Sequence, residues 1–131
     1  MQVTHIDHVN IRIPADAVGA AVSFYHGVLG FEPVKLEQYR DGERTSFAFR
    51  MGETSLLHVR PKEEFEEPSG RNYDHCCIVV EEEIDVVRER LEDHGVTIRR
   101  ESTPWGSTGR APALYVEDPF GYVIEVKQAD L

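Results

Sequence analysis

The chain has 131 residues, 40% hydrophobic and 29% charged, about one domain by the usual range of roughly 100 to 200 residues and the balance of an ordinary globular protein. Fourteen Lys and Arg against 24 Asp and Glu leave a net charge of −10, which repels polyanions and excludes nucleic acid as an expected partner. No apolar run approaches the roughly 20 residues of a membrane span, so no membrane partner is expected. Residues 1–7 lack the basic and apolar regions of a secretory signal, which makes the cytoplasm the expected location. Cys76 and Cys77 are neighbours. On a strand they point to opposite faces, so they read as small buried hydrophobes rather than a disulfide.

In chain order, residues 4–13 predict a strand with Val9, Ile11 and Ile13 on one face and His8, Asn10 and Arg12 on the other. A helix follows over 17–28, with Val18, Ala21, Val22, Tyr25, Val28 and Leu29 as its apolar stripe and Gly30 as its stop. Strands are predicted over 31–39, 45–51 and 55–60, with turns at Asp41-Gly42 and Met51-Gly52-Glu53. In the last of these, Leu57 and Val59 oppose His58 and Arg60. The Glu- and Pro-rich stretch 61–71 joins two halves. A strand over 72–80 then sets His75, Cys77 and Val79 against Cys76, Ile78 and Val80. A second helix over 84–94 ends at Gly95, and strands follow over 96–101, 113–117 and 122–128, with a mobile loop over 103–112. In the last strand Ile124 and Val126 oppose Glu125 and Lys127.

The two halves repeat each other. Asp-His followed by an apolar strand opens each, with His8 and His75 67 positions apart, and His58 and Glu125 stand at the same offset. The pattern is βαβββ twice, an α+β domain over 1–131 with modules at 1–67 and 68–131. His8, His58, His75 and Glu125 all fall on the faces away from the helices. Taken singly, each is an ordinary strand residue. Together, three imidazoles and a carboxylate form a donor set suited to one divalent transition metal, Zn, Ni, Co, Mn or Fe, with two or three coordination positions left for water or substrate.

These residues resemble the vicinal-oxygen-chelate superfamily, which includes glyoxalase I, fosfomycin-resistance proteins, methylmalonyl-CoA epimerase, extradiol dioxygenases and bleomycin-resistance proteins. HIDHVNIRI, FYHGVLGFEPV, DHCCIVV and ALYVEDPFGYVIEVK carry the resemblance over nearly the whole chain. It implies two βαβββ modules curled into a mixed-sheet groove with helices outside. It also implies metal ligands at His8 and His75 on the first strands and at His58 and Glu125 on the last. SLLHVRPKEEFEEPSGRNYDHC is similar to a poorly characterised glyoxalase-domain subgroup. Glyoxalase I usually has Glu where His58 stands, and fosfomycin-resistance proteins usually have Thr where Asn10 stands. Arg12 matches an Arg that glyoxalase I directs at the glutathione end of its substrate.

The resemblance implies a metal-dependent, glyoxalase I-like lyase or isomerase acting through an enediolate on a small substrate with vicinal oxygens. Glu125 is then the catalytic base, and Asn10, Arg12, Arg60 and Tyr115 are the substrate-binding candidates. Arg110 and Trp105 lie in or beside the flanking loop. A non-haem iron oxygenase of the extradiol kind is the alternative, and a metal-free ligand-binding protein of the antibiotic-resistance type is a third. Exposed sheet edges, which this superfamily pairs across subunits, imply a homodimer. In many relatives the groove combines the first module of one chain with the second module of the other.

Overall fold

The computed structural model describes residues 1–129. They form two compact units, one of Met1–Glu66 and one beginning at Glu67. Each is a βαβββ module, so the mixed α+β class expected from the periodicity is the class observed.

In the first unit β1 (His8–Pro14) leads to a helix that starts as α1 (Val18–Ala21) and continues as a π-helical stretch (Val22–Val28). Then come β2 (Glu32–Val34), a short α2 (Leu36–Arg40), β3 (Phe47–Met51) and β4 (Ser55–Lys62). The sheet order is β1-β4-β3-β2, with β1 parallel to β4 and the other pairs antiparallel. Alternation buries Ile11, Ile13, Phe47, Phe49, Leu57 and Val59 on one face. Tyr25 meets Phe49 there, ring centroids 5.4 Å apart, which fixes this as the helix-covered face.

Sequence and structure differ here in two places. The helical stripe omits Phe24, yet Phe24 and Tyr25 are both buried. The Leu29 N–H reaches back to the Phe24 carbonyl and the Phe31 N–H to the Tyr25 carbonyl. The widened turn carries both aromatics onto the core side of the helix. The strand expected over 31–39 stops at Val34 because Lys35 takes a left-handed conformation (φ 64°). The chain then turns through α2, which buries Leu36 and sets Tyr39 against Phe47.

The second unit runs β5 (Cys76–Val80), α3 (Ile84–Asp93), β6 (Arg100–Ser102), a hairpin of β7 (Trp105–Gly106) and β8 (Gly109–Arg110), β9 (Ala113–Glu117) and β10 (Val123–Gln128). Its main sheet has the order β5-β10-β9-β6, again with first and last strands parallel. Val87 and Leu91 of α3 are buried, as are Leu114, Val116, Ile124 and Val126 on one face of β9 and β10, the two strands against which α3 packs. Gln128 points the same way: its Oε1 accepts from the Ile84 N–H at 2.8 Å and caps α3, which has no side-chain cap of its own.

The strand expected over 96–101 forms only from Arg100, because the Gly95 and Val96 N–H groups stay bound to the Glu92 and Leu91 carbonyls at the end of α3. The segment 103–112, expected as a loop, contains the β7–β8 hairpin. Between β9 and β10, Asp118 Oδ1 accepts from the Phe120 and Tyr122 N–H groups at 2.8 and 2.9 Å. This Asx turn aims the strand that carries Glu125.

Candidate functional site

The unburdened faces of the two sheets hold the polar residues. In the first unit Asn10 pairs in register with His58, which pairs with Ala48 on its other side. The small Ala48 leaves room for imidazoles: the His8 and His58 rings stack at 4.2 Å, only 14° from parallel. Asp7 Oδ2 accepts from His8 Nδ1 at 2.8 Å. That bond fixes the ring's tautomer and leaves Nε2 as a donor atom for a ligand. The His8 contact holds the Asp7 carboxyl below its ordinary value. Burial, with the charges of His8 and Arg60 added, holds His58 below the usual imidazole value. The second effect keeps the His58 lone pair available near neutral pH. Arg12 and Arg60 are register partners farther along the same strands, both exposed.

The second unit repeats the arrangement with a carboxylate in place of one imidazole. Asp74 Oδ2 accepts from His75 Nδ1 at 2.5 Å, and His75 Nε2 faces Glu125 Oε2 at 2.8 Å. Glu125 is only 3% exposed, and a carboxylate so placed needs a cation. The His75 ring stands beside it as its partner. Cys77 and Tyr115 flank Glu125 in register on β5 and β9. Burial, followed by the charge of Glu125, pushes the Cys77 thiol up to about 12. Tyr115 meets the His75 ring edge to face at 5.4 Å, accepts a hydrogen bond from Ser102 Oγ at 3.4 Å, and carries the Arg100 guanidinium 4.2 Å above its ring. Arg110 is spent on the Thr103 carbonyl at 3.2 Å, and Trp105 is exposed.

The structure thus brings the predicted ligands together in two pairs, His8 with His58 and His75 with Glu125. Among the described residues no group of three or more His, Cys, Asp or Glu side chains stands close enough to hold one ion. Within the pairs the donor chemistry fits a borderline divalent metal. Two ligands bound side by side on an octahedral ion at about 2.1 Å each lie about 3 Å apart, close to the separation of His75 Nε2 and Glu125 Oε2. Sequence reasoning left Asp7 and Asp74 without a role, although Asp-His at the head of both halves carried the signal. It also left aside Lys127, which alternation places on the Glu125 face.

Residues 5–126 match the model of the Glyoxalase/Bleomycin resistance protein/Dioxygenase superfamily. The chain belongs to that superfamily. Virulence protein STM3117 of Salmonella typhimurium is 28% identical over 132 residues, 98% of this chain and 86% of that protein. The crystal structure of STM3117 aligns with a TM-score of 0.74 at 27% identity, covering 99% and 100% of the two chains. A glyoxalase family protein from Bacillus anthracis aligns with a TM-score of 0.76 at 23% identity over 99% and 98% of the chains. Lactoylglutathione lyase from Agrobacterium tumefaciens aligns at 0.68 and 19%, over 98% and 96%. These last two similarities speak for the superfamily's fold alone. No helix of the described residues is long and apolar enough to cross a membrane.

Proposed function

We propose that the chain is a metal-dependent lyase or isomerase of the glyoxalase kind, acting on a small substrate with vicinal oxygens. The observation that carries this reading is the buried Glu125 facing His75 at 2.8 Å, in a module whose counterpart stacks His8 on His58. The four side chains are the proposed ligands of one divalent ion, Zn, Ni, Co, Mn or Fe. When bound, the ion supplies Lewis acidity, polarising the vicinal oxygens and offsetting the charge that builds on them.

The chain's own residues do the rest. Asp7 and Asp74 hold His8 and His75 with Nε2 presented. Glu125 is the only carboxylate of the set and the base that takes a proton from the carbon next to the substrate carbonyl, then returns it to the neighbouring carbon. Tyr115, packed against His75, lines the same face, and Asn10, Arg12 and Arg60 continue the first unit's face as substrate contacts. A homodimer working in the cytoplasm completes the proposal.

Enediolate-type proton transfer needs no change of metal oxidation state, whereas ring cleavage of a catechol needs O₂. Purified protein loaded with Ni²⁺ or Zn²⁺ should therefore convert a hemithioacetal or α-hydroxycarbonyl without oxygen. Glu125→Gln should lose turnover far more than binding. Oxygen uptake with a catechol, together with no turnover of any hemithioacetal tested, would assign the oxygenase activity instead.

A further inference from the structure

Lys127 lies two residues beyond Glu125 on β10 and on the same face, yet it is only 2% exposed. Its Nζ donates to the Gly109 carbonyl at 2.5 Å. A Cβ placed on Gly106 would stand 3.1 Å from that nitrogen. Gly106 and Gly109 are the paired inner residues of the β7–β8 hairpin, so the hairpin roofs the ammonium with backbone alone. Beneath it lies Ala113, the register partner of Lys127 on β9 and small enough to leave space.

An ammonium has three N–H donors, and the Gly109 carbonyl uses one. Among the described residues no Asp or Glu oxygen forms an ion pair with Lys127, whereas Arg88, Arg99 and Arg40 each have one. A buried cation without a counter-charge is costly and is retained only where something repays it. Along a strand, side chains on one face repeat every two residues, about 6.6 Å.

The geometry points to a carboxylate subsite formed by Lys127 under the β7–β8 hairpin, on the same face as Glu125, which makes the substrate an acid with a second, distal carboxylate. This rests on the reading of Glu125 given above. The carboxylate exchanges for the Gly109 carbonyl on Nζ, and the glycines let the hairpin move aside without a side chain to displace. A single ammonium matches the single charge of a carboxylate.

Malate and lactate test this, because they share a 2-hydroxy-acid head and differ in the distal carboxylate. Calorimetric titration of nickel-loaded protein, with metal content measured first, should show malate binding about tenfold more tightly than lactate. Lys127→Met should erase the difference and leave lactate affinity unchanged. Lys127→Gln, which keeps a donor for the Gly109 carbonyl, should do the same and guards against a folding defect in the methionine variant. Equal affinities in wild type, or a preference that survives both substitutions, would overturn the subsite.

A second arm uses metal-free protein and malonate, read by the amide resonances of Gly106 and Gly109. Shifts that vanish in Lys127→Met support the subsite even if the protein takes up no nickel, the result that would defeat the metal reading alone. Unmoved resonances in wild type would overturn the subsite.

Discussion

His58 sits beside a second imidazole and is partly buried, and both circumstances disfavour its protonated form. Its folded-state value lies below the unfolded value near 6.5, so the unfolded chain binds more protons as the pH falls. The stability that neutral His58 contributes is therefore complete above about 6.5 and is lost as the pH drops toward the folded value. In metal-free protein the His58 ring resonances should titrate below those of a model imidazole, and the melting temperature should fall between about pH 7 and pH 5. His58→Leu should flatten that fall. A midpoint at or above the model value would contradict the account.

Cys77 makes a sharper case. With its thiol pushed up to about 12 by burial and by Glu125, on the order of one molecule in ten thousand carries a thiolate at pH 8. Alkylation by iodoacetamide should run about a hundredfold or more slower than that of free cysteine, and Glu125→Gln should speed it. Alternation alone places His8, His58, His75 and Glu125, because a two-residue period leaves no choice of face. The sequence pattern carries no trace of Arg100 lying over Tyr115, which follows from the late start of β6.

At the scale of elements, the β9–β10 turn and the cap of α3 hold Glu125 in place. Asp118→Ala would remove the Oδ1 that accepts from the Phe120 and Tyr122 N–H groups, at a cost of about 2 kcal/mol. The melting temperature should fall by roughly 10 °C, and Glu125-dependent turnover should fall with it even below the melting range. Gln128→Ala should cost about 1 kcal/mol through the lost cap. The strands and helices with unbroken periodicity were legible from sequence. The exceptions each arise where a local hydrogen bond overrode the pattern: Lys35 in the left-handed region, the π-turn at Phe24 and Tyr25, and the helix end that holds Val96. The β7–β8 hairpin escaped because four residues with two glycines carry no alternation to read.

At the scale of the molecule, the same strand order in each unit, first-last-third-second, answers to the 67-residue repeat. Each four-stranded sheet ends in edge strands, and such edges invite pairing with another copy. Light scattering at micromolar concentration should give about twice 14.9 kDa, and a monomer would contradict the proposed homodimer. The central claim is that the two donor pairs serve one metal, and elemental analysis after exhaustive dialysis against limiting Ni²⁺ tests it most directly. Loss of an outer-shell partner of a metal ligand costs tenfold to a hundredfold in affinity, so loss of a ligand itself should cost about a hundredfold or more. Wild type should retain one nickel per chain, and both His75→Ala and His8→Ala, one from each pair, should retain almost none. Wild-type metal content in either variant would contradict the account.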